Sequence, residues 1–349
     1  MQKVAIVGLG FMGTMHAQIY QQLRDATLVA VVDKQQAKAR SALAKLGLEA
    51  AVFGTLEQML RACEVDVVDV CLPTDLHASF SLKALAAGKH VFCEKPLALT
   101  KEEGRIIAAA AKKAGAFFQV GQCIRFWPEY MAFEAFVKSR KAGRLLSLSL
   151  QRRASRPSYS AGDWLNDGKR SGGAALDLHI HDTDFVHHLL GAPGAVSSVG
   201  TKDPSGWSHI FTRYHYKNLV VTAEGGWNYP PNWGFQMAFQ AVFERGAVEY
   251  DCGASPTMTV TLGGGKKRPL AYKNPGAGES STGAGNLSSL GGYYNELSEF
   301  ISCLQKKKSP QIATVDQAAD SLVTTLAEIQ SATTGRTIKI SQPKTKKIS

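Results

Sequence analysis

The sequence predicts an α/β protein in which an N-terminal Rossmann domain with a doubly wound parallel sheet precedes an α+β domain with an open, mostly antiparallel sheet. Apolar strand-like runs alternate with helical patterns up to about residue 122, which is typical of a parallel sheet covered on both faces. A glycine-rich turn follows the first strand. Beyond residue 122, consecutive strand patterns with short polar links predict an antiparallel sheet. We therefore expect domains at residues 1–122 and 123–340, and a flexible tail at 341–349.

The composition is that of a globular chain with a large core. Of the 349 residues, 44% are hydrophobic and 20% are charged, and no apolar run is long enough to cross a bilayer. The first seven residues resemble a strand rather than a signal peptide, so we expect a cytoplasmic protein with no membrane partner. The six cysteines form no Cys-x-x-Cys pair, which indicates reduced thiols and no metal site.

The net charge of +11 raises the question of nucleic-acid binding. The basic clusters fall at Lys266–Arg268, at Lys306–Lys308 and in the C-terminal tail, where turns, helix ends and a terminus are expected. Charges at such places are usually part of a solvated surface. We therefore expect no nucleic-acid partner.

The first 33 residues carry a complete dinucleotide-binding pattern. The apolar strand Val4–Val7 leads into Gly8-Leu9-Gly10-Phe11-Met12-Gly13, a helix continues to about residue 23, and a second strand over 28–32 ends at Asp33. The first glycine permits the tight turn, the second lets the backbone approach a pyrophosphate, and the third lets the helix lie close to the strand. The predicted cofactor-binding residues of this turn are Gly8, Gly10, Phe11, Met12 and Gly13.

Asp33 also predicts which dinucleotide is bound. A carboxylate at this position accepts hydrogen bonds from the adenosine ribose hydroxyls and repels a 2′-phosphate, which favours NAD over NADP. The nearby cations Lys34 and Arg40 weaken this preference. Asp33 and Lys34 are both included among the predicted cofactor-binding residues.

The following elements place polar residues at the carboxyl ends of strands, where ligands bind in parallel sheets. The expected strands span 65–72, 90–93 and 117–120, and the expected helices span 55–63, 77–87 and 100–115. Capping boxes begin two of these helices, at Thr55 and at Thr100. The additional cofactor-binding candidates are Pro73, Thr74, His77, Glu94, Lys95 and Gln122. His77 is equally compatible with bracing a loop.

The second domain starts with a predicted helix over 128–140 and a strand over 146–152. Six more strand patterns follow, at 195–200, 210–216, 219–227, 235–244, 247–250 and 258–262. A glycine- and serine-rich stretch at 275–289 is expected to be a mobile loop. Helices over 293–305 and 315–334, the second capped by Gly335, and a strand over 337–340 complete the domain. The open face of its sheet is a predicted homodimer or homotetramer interface.

A short motif lies between these elements, where Gly172-Gly173 precedes a predicted helix over 176–190. Asp177 and His181 are four residues apart, so they would lie on one face of this helix. A carboxylate beside an imidazole suits proton transfer near neutral pH. By itself the pair is a weak signal, because most contacts at this spacing are ordinary surface contacts.

Two residues close to this pair in sequence, His179 and Asp184, are interpreted separately. His179 would lie roughly opposite Asp177 and His181 on the helix, and two histidines in this arrangement do not predict a metal site. Asp184, three residues after His181, is either a support for that histidine or an ordinary helix contact.

These motifs together resemble the Gfo/Idh/MocA oxidoreductases, the glucose–fructose oxidoreductase and inositol dehydrogenase family, nearly from end to end. The most specific matches are Glu94-Lys95-Pro96 and the run from Gly172-Gly173 through Asp177 to His181. The supporting matches are His16 after the glycine turn, Ala86-Ala87-Gly88-Lys89-His90-Val91, Arg125 with Pro128, Trp164, Asp184, Ser331-Ala332 and Gly335-Arg336.

The resemblance implies an NAD(P)-dependent dehydrogenase that moves a hydride between NAD and a secondary hydroxyl of a sugar, a sugar derivative or a cyclic polyol. It assigns Lys95, Asp177 and His181 to catalysis. Lys95, beside the nicotinamide, would hold the substrate oxygen, His181 would act as a base, and Asp177 would orient the substrate or influence His181. Which of Lys95 and His181 accepts the proton first stays open. The predicted substrate-binding residues are Lys95, Arg153, Trp164, Asp177 and His181.

Two other functions stay open. A variant known in the family uses bound NAD to oxidise a sugar transiently, eliminate a glycosidic group and reduce the product back, which makes it a glycosidase without net redox change. A non-catalytic, cofactor-sensing regulator is disfavoured, because a sensor has no use for Lys95, Asp177 and His181. Arg153 belongs to a group of basic residues before the motif, which would suit an acidic or phosphorylated sugar or would simply be solvated.

Overall fold

The computed structural model describes residues 1–272 and 290–341, so the loop predicted at 275–289 and all but the first residue of the predicted tail lie outside the described residues. The chain forms two compact units. The first comprises Met1–Cys123, Tyr159–Trp164 and the described part of Gly276–Ala319. The second comprises Ile124–Ser158 and the described parts of Leu165–Pro275 and Asp320–Ser349. This division differs from the linear scheme of 1–122 and 123–340, because two later segments belong to the first unit.

The first unit is built on a six-stranded parallel sheet. In chain order its elements up to residue 121 are β1 (Gln2–Val7), α1 (Phe11–Gln22), β2 (Ala26–Val32), α2 (Gln36–Leu46), β3 (Ala51–Phe53), α3 (Leu56–Ala62), β4 (Val67–Val70), α4 (Thr74–Ala86), β5 (His90–Glu94), α5 (Lys101–Ala114) and β6 (Phe118–Gly121). The strand order β3-β2-β1-β4-β5-β6 reverses between β1 and β4, which is where such sheets bind nucleotides. The predicted Rossmann class is confirmed.

The sequence patterns located most of these elements and missed two. The Thr55 hydroxyl accepts from the Gln58 amide, and Thr100 and Glu103 form the predicted capping box. The short elements α2 and β3 were not predicted, since neither carries a strong apolar period. Helix α4 begins at Thr74, three residues before the predicted start.

The second unit holds a nine-stranded, mostly antiparallel sheet. The elements from residue 123 onward are a 3₁₀ helix (Cys123–Phe126), α6 (Pro128–Ser139), β7 (Leu145–Ser155), a 3₁₀ segment (Ala161–Asn166), α7 (Gly168–Ser171), a π-helical turn (Ala175–His179), α8 (Ile180–Leu190), β8 (Ala195–Asp203), β9 (Gly206–Tyr216), β10 (Leu219–Tyr229), β11 (Phe235–Phe243), β12 (Gly246–Asp251), β13 (Met258–Leu262), β14 (Arg268–Pro269), α9 (Gly291–Gln305), α10 (Val315–Thr334) and β15 (Ile338–Lys339). Among the described residues the sheet order is β14-β13-β12-β11-β7-β10-β9-β8-β15, and there only β7 and β10 pair in parallel. The predicted open, mostly antiparallel sheet is confirmed.

Helix α9 packs within the first unit. Its buried side chains Leu297, Phe300 and Ile301 join the same apolar core as Ile6 on β1 and Phe92 on β5. Burying these side chains removes a large apolar area from water, and this stabilises the packing of α9 against the N-terminal sheet.

The two faces of the second sheet differ. Its inner face packs against the π-helical turn and α8. The opposite, outer face carries exposed apolar side chains at Val199, Phe211, Val220 and Val242. In the part of the chain that the structure describes, no helix is both long enough and apolar enough to cross a membrane.

Candidate active site

The glycine turn after β1 has the backbone that a dinucleotide requires. Gly8 has φ +92, and a Cβ there would lie 2.6 Å from the Cys71 carbonyl oxygen. A Cβ at Gly13 would overlap the Gly8 carbonyl oxygen, so only glycine lets α1 start this close to β1. At Gly10, by contrast, an added Cβ would have no atom of the other described residues within 4 Å, its chain neighbours apart. The open space at Gly10, directly before the N-terminus of α1, fits a pyrophosphate.

Asp33 lies beside this turn at the carboxyl end of β2. Its Oδ2 accepts from the Leu9 amide at 2.9 Å, and its Oδ1 accepts from the Gln35 amide at 2.7 Å. The carboxylate is therefore held next to the glycine turn, where it fits a ribose. Lys34 is exposed, and Arg40 donates to Gln36 on its own helix at 3.0 Å.

The carboxyl ends of β4 and β5 are joined through His77. Its Nδ1 lies 2.7 Å from the Pro96 carbonyl oxygen, and its Nε2 lies 2.8 Å from the Leu72 carbonyl oxygen. Both ring nitrogens thus contact backbone, and burial lowers the pKa of His77. Bracing of these loops is the role that this geometry supports. Pro73 and Thr74, which is 2% exposed, start α4 at the same edge.

Lys95 directly follows β5 and is partly exposed, whereas Glu94 is buried. Glu94 Oε2 accepts from the Lys95 amide at 3.2 Å, and Glu94 Oε1 lies 3.1 Å from His16 Nε2. Gly121 leaves room for this carboxylate, since a Cβ there would lie 3.1 Å from Glu94 Oε1. Glu94 therefore holds the strand end that carries Lys95.

Four other predicted residues of the first unit differ in exposure. Gln122 follows β6, is 1% exposed, and neither polar atom of its amide group has a hydrogen-bond partner among the described residues. Such a buried amide is available to a bound polar group. Phe11 is exposed at the start of α1 and its ring lies 5.2 Å from that of Tyr159, while Met12 is partly buried. Trp164 is partly buried in the 3₁₀ segment Ala161–Asn166.

The second unit carries Asp177 and His181 at the junction of the π-helical turn with α8. Asp177 lies within the π turn and His181 is the second residue of α8, so the helix predicted over 176–190 is present but begins with a π turn. A π turn inserts an extra residue into the helical repeat and is frequent at functional sites. His181 is buried to 9% exposure and Asp177 is partly exposed. That they face one substrate stays a prediction.

Two buried arginines anchor α8 through the aspartates one and three residues after this histidine. Arg152 on β7 forms a two-point contact with Asp182, at 3.0 and 2.9 Å. Arg125 contacts Asp184 at 2.7 Å through two nitrogens, and Ser321 also donates to Asp184 at 2.7 Å. Asp184 is therefore a long-range anchor rather than a helix contact. Paired guanidinium and carboxylate groups of this kind orient a segment strongly.

His179 faces the protein interior. Its Nε2 lies 2.9 Å from Glu328 Oε2 on α10, and Thr183 also donates to Glu328 at 3.0 Å. Gly225 on β10 allows the approach, because a Cβ there would lie 2.6 Å from the His179 Cβ. The His179 side chain thus ties the π turn to its surroundings.

Arg153 lies on the outer face of the second sheet, because neighbouring residues of a strand point to opposite faces and Arg152 points inward. Its guanidinium contacts Gln236, lies 3.9 Å from Glu224 and stacks over the Trp233 ring. A role for Arg153 in binding substrate stays a prediction.

Two groups of side chains in the first unit have the spacing of metal ligands. They share His16 and consist of His16, Asp69 and Cys71, and of His16, Glu94 and Glu296. Sequence reasoning missed Asp69 and Glu296 as members of a site. A signal was present in both, since Asp69 interrupts the apolar strand Val67–Val70 and Glu296 occupies the apolar face of α9.

Comparison with known sequences identifies the family. Residues 2–122 match the oxidoreductase family with an NAD-binding Rossmann fold, and residues 130–249 match the Gfo/Idh/MocA C-terminal domain. The chain belongs to the Gfo/Idh/MocA oxidoreductase family. Its first unit is accordingly an NAD-binding domain, and the expected cofactor is confirmed. This Gfo/Idh/MocA protein thus combines the glycine turn, Asp33 and the Lys95 strand end in one NAD-binding unit.

Relatives of this Gfo/Idh/MocA chain include inositol 2-dehydrogenase of Rhizobium meliloti (strain 1021), which is 27% identical over 87% of this chain and 89% of the relative. D-glucoside 3-dehydrogenase of Escherichia coli (strain K12) is 34% identical, and that match spans 56% of each chain. The solved structure of levoglucosan dehydrogenase with NADH and levoglucosan superposes with a TM-score of 0.84, covering 98% of this chain and 100% of that one at 20% identity. The last similarity establishes the shared fold.

Proposed function

We propose that the protein oxidises a secondary hydroxyl of a sugar, a sugar derivative or a cyclic polyol, with NAD as the hydride acceptor. The observation that carries this proposal is Lys95 at the carboxyl end of β5 in an NAD-binding sheet, held there by the Glu94 carboxylate. Relatives named inositol 2-dehydrogenase and D-glucoside 3-dehydrogenase support a polyhydroxylated substrate.

The oxidation requires two chemical roles to be filled by side chains of the protein. The hydroxyl proton must leave, and the oxygen must be stabilised as negative charge develops on it. The Lys95 ammonium donates a hydrogen bond to that oxygen, and the His181 imidazole accepts the proton or relays it, with Asp177 orienting the substrate. When bound, NAD would supply the acceptor for the hydride that leaves the carbon. Whether Lys95 or His181 receives the proton first is decided by comparing the pH profiles of Lys95→Met and His181→Asn.

Holding the cofactor is the task of the first unit. Gly8 and Gly13 shape the turn, the open space at Gly10 would receive the pyrophosphate at the N-terminus of α1, and Asp33 would accept from the adenosine ribose. The side-chain amide of Gln122 offers a buried donor and acceptor at the carboxyl end of β6. These contacts would hold the cofactor in place before the reaction, which lowers the entropic part of the barrier to hydride transfer.

A screen tests the proposal directly. The purified protein is incubated with NAD⁺ or NADP⁺ and a panel of sugars, inositols, sugar acids and aryl glycosides. Substrate-dependent NADH formation with at least one member is the expected result. Release of the aryl group without NADH would favour the glycosidase with transient oxidation, and NAD⁺ binding without any turnover across the panel would favour the sensor.

A second copy of the chain is the proposed partner for the outer sheet face. Val199 is 68% exposed there and Val220 is 54% exposed, and exposed apolar side chains grouped on one face of a sheet mark an interaction surface. The mass of the protein by light scattering should be that of a dimer or tetramer. Val220→Lys should convert it to smaller species.

A further inference from the structure

Glu94 belongs to a buried cluster of ionisable side chains in the first unit, and its other members have no assigned part in the proposed reaction. His16 on α1, Asp69 on β4, Glu94 on β5 and Glu296 on α9 are each at most 4% exposed. One ligand-type atom each of His16, Glu94 and Glu296 lies within 4.8 Å of the other two. Three carboxyl groups thus share one imidazole, and leaving all three ionised would bury uncompensated negative charge.

His16 compensates two of the three carboxyl groups. Its Nδ1 lies 2.8 Å from Asp69 Oδ2, and its Nε2 lies 3.1 Å from Glu94 Oε1. An imidazolium has a donor on each nitrogen for this arrangement. Burial lowers the pKa of His16, but Asp69 and Cys71 together outweigh this effect and raise the pKa well above 6.5. The Tyr20 hydroxyl and the Cys71 thiol also donate to Asp69, at 3.0 and 3.3 Å.

Glu296 remains without such compensation. Both of its carboxyl oxygens are shielded from solvent, and neither has a hydrogen-bond partner among the described residues. Burial and then the Glu94 carboxylate raise the pKa of Glu296 well above 4.5, Asp69 adds to this, and His16 opposes it.

Three other polar groups face Glu296. They are the buried Gln119, whose amide donates to the Glu296 backbone oxygen at 3.2 Å, and the phenols of Tyr20 and Tyr293.

We propose that Glu94 and Glu296 hold one proton between them, with Glu296 as the neutral acid that donates to the Glu94 carboxylate. This arrangement removes one buried charge and gives each carboxyl group a partner. Glu94 in turn accepts from the Lys95 amide, so Glu296 and His16 are positioning residues for the strand end that carries Lys95. The link to Lys95 rests on the proposed function, whereas the shared proton does not.

Equilibrium unfolding as a function of pH tests the shared proton. A folded Glu296 that keeps its proton binds one more proton than the unfolded chain above about pH 4.3, so wild type loses stability relative to Glu296→Gln as pH rises. The unfolding constant of wild type divided by that of Glu296→Gln should increase about tenfold per pH unit until the folded group titrates. Glu299→Gln, on the exposed side of the same helix, should show a flat ratio.

The pH dependence of this ratio shows whether folded Glu296 is protonated or ionised. A flat ratio for Glu296→Gln would overturn the proposal, as would a ratio that falls with rising pH, because either means that folded Glu296 is ionised. If Glu296→Gln does not fold, infrared spectra of wild type with ¹³C-carboxyl glutamate replace it. Wild type should show a protonated glutamic acid band at neutral pH, which Glu328→Gln keeps, and the absence of that band would overturn the proposal.

A metal ion is the competing occupant of this cluster. Elemental analysis of the purified holoenzyme should find no stoichiometric zinc or manganese. One equivalent of either metal that is lost on Glu296→Gln would overturn the shared proton, since a metal requires both carboxyl groups to be ionised.

Turnover tests the positioning role separately. Glu296→Gln keeps a neutral donor to Glu94, so kcat should stay within about threefold of wild type, whereas Glu296→Leu, which has no donor, should lower kcat at least about tenfold. Affinity for NAD⁺ by calorimetry should change less than kcat in both variants. Equal kcat for Gln and Leu would overturn the positioning role. Absence of any dehydrogenase activity in wild type would instead overturn the proposed function and leave the unfolding result standing.

Discussion

The Arg125 guanidinium and the Asp184 carboxylate form a buried two-point contact, in which Nε and Nη2 each lie 2.7 Å from a carboxylate oxygen. The two side chains are 2% and 0% exposed. Removing one partner would leave the other charge buried and unpaired. This contact, with the one between Arg152 and Asp182, anchors α8 and thereby the position of His181.

The first prediction concerns this anchor. Asp184→Ala should lower the free energy of unfolding by about 3–5 kcal/mol, because the Arg125 charge stays buried without its carboxylate. Chemical denaturation followed by circular dichroism measures the change. The double variant Arg125→Met with Asp184→Leu should recover much of the loss. A double variant as unstable as Asp184→Ala would show that packing, rather than the unpaired charge, sets the cost.

The second prediction concerns the glycine turn. Gly10→Ala should fold with unchanged stability, because an added Cβ meets no protein atom within 4 Å. Its affinity for NAD⁺ should nevertheless fall at least about tenfold, which is about 1.4 kcal/mol, since the methyl group occupies the space of the pyrophosphate. Calorimetry measures the affinity. Gly263→Ala, also with open space around it, is the matched control and should bind NAD⁺ as wild type does.

The third prediction concerns cofactor preference. Asp33→Ser removes the negative charge that repels a 2′-phosphate and keeps an oxygen for the amides of Leu9 and Gln35. The ratio of kcat/KM for NADP⁺ to that for NAD⁺ should rise at least about tenfold, or about 1.4 kcal/mol. An unchanged ratio would remove Asp33 from cofactor selection.

The fourth prediction concerns pH and His187 on α8. Burial lowers the pKa of His187 to about 4, with Arg125 adding to the effect and Asp184 opposing it. The unfolded histidine titrates near 6.5, so between about pH 6.5 and 4 the unfolded chain binds a proton that the folded chain does not. This contribution is complete above pH 6.5 and is lost on acidification, by about 3 kcal/mol in total.

His187→Gln keeps a hydrogen-bonding group for Thr324 Oγ1, which lies 2.8 Å from His187 Nε2, and cannot titrate. The stability of wild type relative to this variant should therefore fall as pH decreases from about 6.5 towards 4, measured by urea unfolding. A constant difference over that range would contradict a folded His187 that resists protonation.

The sequence predicted those features that depend on local patterns. The glycine turn with Asp33, the N-cap at Thr55, the capping box at Thr100, and helix α10 with its bounds at 315 and 334 were all located, because backbone geometry, caps and apolar period depend on residues that are close in sequence. NAD binding followed from the same local pattern.

Features that depend on partners far away in the sequence were not predicted. Glu296 lies more than 200 residues from Glu94 along the chain, and only the return of α9 to the first sheet brings them together. The anchors of Asp182 and Asp184 likewise come from arginines on other elements. Whether Arg152 or Arg153 points inward depends on strand register, which a one-residue shift would invert.

The central claim is that Lys95 is catalytic in hydride transfer to NAD. The most direct test is kcat of Lys95→Ala for NADH formation with a substrate found in the screen, beside Lys89→Ala at the opposite end of β5 as the control. We expect Lys95→Ala to fold, to bind NAD⁺ and to lose about 10²–10⁴-fold in kcat, while Lys89→Ala keeps wild-type activity. A kcat for Lys95→Ala equal to that of wild type would contradict the account.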